Sequence, residues 1–201
     1  MKRIFDFIFS IVLFFILLPL LILISICVYI KMGSPVYFVQ TRIGLDEKKI
    51  NLLKFRTMTN DIDDNGHLLP NEMRVTKLGR ILRKTSIDEL PSLINVIKGD
   101  LSLVGPRPLL VDYLPFYKEK HKLRHTVRPG ITGLAQVNGR NLISWEERLD
   151  YDSFYATHHN IMLDIKILFK TIFKVLHSEG VEGSEDLSIV RLDKDDDYLG
   201  S

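Results

Sequence analysis

The sequence predicts an α+β protein, one catalytic-sized domain behind an N-terminal membrane segment. Three observations carry this. "MKRIFDFIFSIVLFFILLPLLILISICVYIK" holds no charged residue between Phe7 and Ile30, and a membrane helix needs ~20 apolar residues. After it, two short stretches alternate apolar and polar residues, the period of strands. From Leu90 onward apolar residues recur at helical spacing instead. Outside the apolar run about 170 residues remain, a length that suits one domain with its own core.

The apolar run admits two readings. It is too long for a signal peptide, and no small-residue cleavage site follows it. Pro19 falls near its middle and removes a backbone hydrogen bond, so a kink or break is expected there. Lys2 and Arg3 precede the run; Lys31, then Arg42, Lys48 and Lys49, follow it. Lys and Arg favour the cytoplasmic face, which pulls both ends to one side. A helix-break-helix over residues 1–32 that enters one leaflet and returns satisfies this; so does a single kinked span.

The domain at 33–177 follows. "SPVYFVQTRIG" reads as a strand closed by Gly44, and "KKINLLKFRTM" as a second. Asn60–Met73 is a polar loop with an Asn-Gly turn. Leu90, Leu93, Ile94 and Ile97 lie on one helix face, and Gly99 ends that helix. "LSLVGPRPLL" is a buried strand entering a rigid turn, "RPGITGLAQVNGRN" is turn-rich, and Ser144–Leu176 is helical. Its last helix carries Lys166, Lys170 and Lys174 as one stripe on an otherwise apolar sequence. That suits a helix lying in a membrane interface, and also a core helix with one solvated edge. The acidic 178–201, with "DKDDD", reads as a mobile tail.

Composition excludes several classes. A net charge of +2 gives no field for nucleic acid. The single Cys27 builds neither a disulfide framework nor a Cys/His metal set, and suits a reducing compartment. No Walker loop or GxGxxG occurs.

"RKTSIDELPSL", Arg83–Leu93, sets Asp88 beside Glu89. Ser86 and Glu89 have capping-box spacing, so both acids could simply start a helix. Pro91 fits best if that start lies at Asp88. There the dipole is expected to hold Asp88 ionised, free to cap, to hold a metal ion or to attack phosphorus. The surroundings favour more than a cap. Arg80, Arg83 and Lys84 precede the pair. Arg107 is pinned between Pro106 and Pro108, which presents a guanidinium at low entropic cost. Lys54 and Arg56 flank Phe55, and Arg128 and Arg140 stand in or beside glycine-rich turns. Such a set, next to a membrane segment, points to a diphosphate substrate handled at a membrane surface.

"KFRTM", "SIDELPSLINVIKGDLSLVGPRPLL" and "VRPGITGLAQVNGRN" together resemble the bacterial sugar transferase family, the monotopic phosphoglycosyl transferases, from about Lys2 to Leu176. The resemblance implies a mostly α fold with a small β element, a re-entrant N-terminal helix and amphipathic interfacial helices. It places the protein on the cytoplasmic face of the bacterial inner membrane. It implies transfer of a phosphosugar from a UDP-sugar to undecaprenyl phosphate, with release of UMP and with Mg2+ as cofactor, as the first membrane step of glycoconjugate assembly. Downstream glycosyl transferases are then partners. Asp88 becomes the nucleophile and metal ligand and Glu89 its partner, a base or a positioning group. Lys54, Arg83, Arg107 and Arg140 fall on basic motif positions. Leu18-Pro19 departs from the family's frequent Ser-Pro break. The polar loop resembles that of members using N-acetylated amino-deoxy sugars. The short chain is expected to be the catalytic core, without the extra helices and domain of the larger glucose and galactose transferases. Two other readings stay open: a membrane scaffold with Asp88 as a cap, and a glycosyl transferase that releases UDP.

Overall fold

The computed structural model describes residues 1–139, 142–177 and 191–200. Helix α1 runs from Lys2 to Met32 with Pro19 inside it. The helical assignment continues through Pro19. Proline removes a single rung, its own missing N–H, and the flanking ladder carries the helix through. At 31 residues α1 is about 46 Å long, and it is long and apolar enough to cross a membrane.

Polar bonds tie α1 to the domain near its start. Asp6, 2% exposed, accepts from Ser102 Oγ at 2.8 Å and the Leu103 amide at 3.3 Å. Lys2 Nζ donates to Asp164 at 2.5 Å. Arg3 donates to the carbonyls of Val96 and Ile97 at 2.5 and 2.8 Å. Those carbonyls lie at the end of the helix Leu93–Lys98, so the guanidinium caps it, sharing the Val96 carbonyl with the Gly99 amide. Further along, Leu21, Ile24 and Val28 pack with Phe55 and Leu82. At the far end Arg56 donates to the carbonyls of Met32 and Ser34 at 3.1 and 3.3 Å.

The two predicted strands form an antiparallel hairpin, β1 (Tyr37–Ile43) and β2 (Lys49–Phe55), with Tyr37 opposite Phe55. The expected turn is present at Asn65-Gly66, where the Asp63 carboxylate accepts from the amides of Asn65 and His67, both at 2.9 Å. Helices α2 (Asn71–Arg74) and α3 (Lys77–Lys84) follow. The helix expected to start at Asp88 is two elements. Ile87–Ser92 is a 3-10 turn, and α4 (Leu93–Lys98) begins after it and ends at Gly99 as predicted. Pro91 lacks the amide that an α ladder needs there, and the tighter turn tolerates it. The capping box does not form. Ser86 is left-handed, its side chain caps nothing, and Glu89 is drawn elsewhere.

A second small sheet pairs β3 (Ser102–Val104) in parallel with β4 (Gly130–Thr132). A Cβ on Gly130 would lie 2.1 Å from the Gly105 amide nitrogen, so only glycine lets these backbones meet. Their contact anchors the root of the "GPRP" turn. Helices α5 (Glu119–Lys122), α6 (Leu134–Asn138), α7 (Trp145–His158) and α8 (Ile161–His177) complete the domain. The main core joins Leu52, Leu93, Val96, Leu101, Tyr155 and Ile167. On α8, Phe169, Ile172 and Phe173 stay 56–62% exposed, so its apolar surface is only partly spent on the core.

The tail reading needs correction where it is described. Helix α9 (Asp196–Leu199) and the turn before it pack on the domain. Leu192 is 0% and Tyr198 2% exposed, within a cluster containing Ile43 and Leu149. Tyr198 Oη accepts from the Lys118 amide at 3.2 Å and lies 2.9 Å from His121 Nδ1. Two apolar anchors hold a segment that its acidic composition had marked as solvated. The stretch 178–190 lies outside the described residues. Leu192→Ala should lower stability by about 2–4 kcal/mol in thermal or denaturant melts; a loss under ~0.5 kcal/mol is what a solvated tail would give.

Candidate active site

Three distant segments meet at one carboxylate. Glu89 lies on the 3-10 turn, Lys54 near the end of β2, and Arg107 between its prolines. Glu89 Oε1 accepts from Lys54 Nζ at 2.7 Å and from Arg107 Nη2 at 2.9 Å, with Arg107 Nη1 3.5 Å from Oε2. Burial pushes the Glu89 carboxyl up, but the charges and hydrogen bonds of Arg107 and Lys54 overcome it and hold the group well below the usual range. Glu89 is thus a fixed anion that positions two cations, which leaves it poorly suited to act as a base.

Asp88 is different. No hydrogen bond to its carboxylate is found among the described residues, and it lines a cavity of about 1140 Å³ together with Lys54, Arg83, Glu89 and Arg107. Burial and the neighbouring Glu89 charge raise its pKa from 3.8 to about 6, against the pull of Lys54, Arg107 and Arg83. The expected dipole effect is therefore outweighed, since a 3-10 turn of six residues offers little dipole against burial. At neutral pH the group is still largely ionised, and more basic than an ordinary aspartate.

The sequence-predicted cations divide. Arg83 lines the cavity, steadied by Thr57 Oγ1 at 2.9 Å. Arg128 does not join it; its Nε donates to the Gly99 carbonyl at 2.9 Å, a group left open at the end of α4. Arg56 lines the cavity, but its guanidinium is spent on the end of α1. Arg140 lies outside the described residues. Sequence reasoning missed Arg124, which is 3% exposed. It donates to Asp152 at 2.9 Å, to Tyr117 Oη at 3.0 Å and to the carbonyl of Arg107 at 2.5 Å, so a buried ion pair steadies the backbone that presents Arg107. Also missed were Arg42, Arg148 and Arg191, which line the cavity beside Trp145 and Tyr113. Arg148 lies 4.4 Å from the Trp145 ring centroid and Arg191 5.6 Å from that of Tyr113. To the same cavity α1 contributes Leu13, Leu17 and Leu20, an apolar wall.

A magnesium ion prefers hard oxygen ligands, often one or two carboxylates plus substrate phosphates. Asp88, which lines the cavity and has no hydrogen-bond partner among the described residues, fits that role. His121, Glu146 and Asp150 also have ligand atoms within 4.8 Å of one another. There, however, Lys118 and Lys120 already pair with the carboxylates at 2.5–2.9 Å.

The site is a carboxylate pair ringed by cations, with an apolar wall from a membrane-type helix. Comparison with known proteins gives its class. The family described as "Bacterial sugar transferase" matches residues 1–178. The chain is 52% identical over 191 residues to "Uncharacterized sugar transferase EpsL" of Bacillus subtilis (strain 168), covering 95% of both. It is 43% identical over 183 residues to the "UDP-glucose:undecaprenyl-phosphate glucose-1-phosphate transferase" of Klebsiella pneumoniae, covering 86% of this chain and 39% of that one. To the "Undecaprenyl-phosphate galactose phosphotransferase" of Salmonella typhimurium (strain LT2) it is 38% identical over 197 residues, covering 90% and 41%. The protein belongs to the bacterial sugar transferase family and is an enzyme of that class. It spans about two fifths of the length of the named glucose and galactose relatives.

Two outcomes test the electrostatics. Because Asp88 titrates near 6 when folded and 3.8 otherwise, its charge opposes folding above that window. Asp88→Asn should raise Tm at pH 7.5, worth on the order of 1 kcal/mol, with the gap closing as pH falls toward 3.8. Arg107→Lys keeps the charge and loses the fork; kcat/KM should fall by about 1.5–3 kcal/mol, and a wild-type value would remove Arg107 from the site.

Proposed function

We propose that the protein transfers a phosphosugar from a UDP-sugar to undecaprenyl phosphate, with release of UMP, through a covalent intermediate on Asp88. The observation that carries this is the Asp88 carboxylate, without a hydrogen-bond partner among the described residues, in a cavity lined by cations. The names of the relatives above support the donor, the acceptor and the bond transferred.

The chemistry follows from the residues. Asp88 Oδ attacks the phosphorus bonded to the sugar. The phosphoanhydride bond breaks, its electrons leave on the UMP oxygen, and an aspartyl phosphosugar remains. The phosphate oxygen of the acceptor then attacks the same phosphorus, displaces Asp88 and regenerates its carboxylate. Lys54 and Arg107, held in place by Glu89, and Arg83 on α3 screen the diphosphate so that an anion can approach it. Bound magnesium, held by Asp88 and the substrate phosphates, would supply further charge neutralisation. The Leu13–Leu20 wall suits the first prenyl units of the acceptor.

The enzyme is monotopic on this reading, with both ends of α1 on the cytoplasmic face of the inner membrane. What supports it is that Lys2, Arg3 and Asp6 at one end, and Met32 at the other, bond to one and the same domain. A helix crossing a bilayer could not offer both ends to a domain on one side. The exposed Phe169, Ile172 and Phe173 on α8, beside its lysines, supply a further interfacial surface. The donor sugar is read as N-acetylated and amino-deoxy from the resemblance of the Asn60–Met73 loop; the named relatives act on glucose and galactose donors. The product, a membrane-held diphosphate sugar, suits elongation by further glycosyl transferases.

With UDP-sugar and Mg2+ but no acceptor, about one UMP per active site should appear and stop, and intact mass should rise by one phosphosugar on the peptide holding Asp88. Asp88→Asn should abolish both. Release of UDP, or an adduct on Glu89, overturns the mechanism. A panel of UDP-sugars in the same assay selects the donor.

A further inference from the structure

Ser86 joins α3 to the 3-10 turn that carries Asp88 and Glu89, and the proposed chemistry leaves it without a role. Its φ of 56° and ψ of 16° are left-handed. It stands just past the end of α3, where glycine is the usual residue because a Cβ opposes that conformation. A serine there is strained, and such strain gathers at functional sites. The side chain adds a second observation. Among the described residues Oγ has no hydrogen-bond partner, and it is not one of the buried atoms left unmet, so it keeps accessible surface. Ser86 is half-buried and lines the same cavity as Asp88. The other serine and threonine hydroxyls of that lining are engaged: Thr57 with Arg83, Thr59 with Asp61, Thr85 with the Ile81 carbonyl, and Thr132 with Thr171. Neither the backbone nor any described partner accounts for a serine at this position.

The chain itself sets its distance from the nucleophile. Consecutive Cα atoms stand ~3.8 Å apart, so two steps hold Ser86 within ~7.6 Å of Asp88, Cα to Cα. The Glu89 amide donates to the Ser86 carbonyl at 3.3 Å and closes the turn around Asp88, while the Ser86 amide donates to the Arg83 carbonyl at 3.1 Å. Arg83, Ser86 and Asp88 thus share one short stretch of cavity wall. Chemistry then names the ligand group. Asp88 attacks in line with the departing UMP oxygen, so the phosphorus turns its equatorial oxygens toward whatever flanks the nucleophile. Ser86 flanks it. Those oxygens accept hydrogen bonds, and a serine hydroxyl can donate one. A neutral donor also suits the spot. A further cation beside Asp88 would draw the carboxylate into an ion pair, whereas a hydroxyl can hold a phosphate oxygen and leave the nucleophile its charge.

We infer that Ser86 is a further catalytic residue, whose Oγ donates a hydrogen bond to an equatorial oxygen of the phosphate that Asp88 attacks. This rests on the phosphosugar-transfer reading above. Ser86→Ala removes the hydroxyl and keeps the Cβ; Ser86→Gly removes both and suits the left-handed backbone. Single-turnover formation of the Asp88 adduct is followed by intact mass with Mg2+ and UDP-glucose, UDP-galactose or UDP-N-acetylglucosamine, alongside UMP affinity by calorimetry and Tm without ligand. Both variants should form the adduct about 10- to 100-fold more slowly. The factor should be the same for every donor that the wild-type enzyme uses, because all share the attacked phosphate. UMP lacks that phosphate, so its affinity should not change. The Tm of Ser86→Gly should be unchanged or raised. A wild-type rate in Ser86→Gly overturns the inference whatever Ser86→Ala does, since the position then matters only for its backbone. A loss that differs between donors moves the hydroxyl to the sugar, and a matching loss of UMP affinity moves it to the nucleotide; either result overturns the assignment. If wild-type enzyme forms no adduct from any donor, the transfer reading falls and the inference with it; a wild-type adduct that Ser86→Gly forms equally fast sinks the inference alone.

Discussion

The fold depends on one shared carboxylate oxygen. Glu89 Oε1 takes Lys54 and Arg107 at 2.7 and 2.9 Å, and so draws the hairpin, the 3-10 turn and the proline-bounded turn to a single point. Removing any member would strand the others in a half-buried site, where an unmatched charge is costly. The arrangement also shapes the surroundings of its neighbour. With both nearest cations committed to Glu89, Asp88 receives their field without their hydrogen bonds. It has no hydrogen-bond partner among the described residues, and it lines the cavity.

Support for this point reaches outward in layers. Arg107 cannot swing, because prolines flank it and Arg124 grips its carbonyl. Arg124 is in turn fixed by Asp152 on α7, so a helix remote in sequence sets the position of the backbone that presents Arg107. Ser92 Oγ and Asn95, one helical turn beyond the carboxylates, bond the backbone of β2 at Leu53 and Asn51. That registers the turn against the strand that carries Lys54. Helix α1 is joined into the same frame at both ends, by Arg3 on α4 and by Arg56 beyond β2, and its middle forms a wall of the cavity.

Local stability is spent at the site. Asp88 is held where its charge is disfavoured, and Gln136 is buried with neither end bonded. Elsewhere the described polar groups are largely matched: Asp6 with Ser102 and Leu103, Asn95 with β2 and Asp100, Tyr155 with Val104 and Asp164. Unmet buried atoms are not confined to the cavity: among the described residues Ser10 Oγ, His125 Nε2 and Asp152 Oδ1 also lack a hydrogen-bond partner.

The sequence by itself determined the local grammar. The uncharged run, the two alternating strands, the Asn65-Gly66 turn, the stop at Gly99 and the long helices all follow from spacings within a few residues, where backbone sterics and periodicity act. Asp88, Glu89 and Arg107 were also legible, because a carboxylate pair and a proline-bounded arginine are unusual in themselves. Tertiary structure decided what those spacings cannot encode. It chose Arg107 for the site and sent Arg128 to the Gly99 carbonyl. It undid the Ser86–Glu89 capping box by offering Glu89 stronger partners, and it recruited Arg124, whose surroundings in sequence carry no signal. It turned Lys2 and Arg3 from a simple basic flank into anchors, and it buried Leu192 and Tyr198 in a segment whose charge promised solvent. A charged group goes wherever an opposite charge or an open helix end needs it, and that need arises only once the chain has brought residues 89, 54 and 107 together.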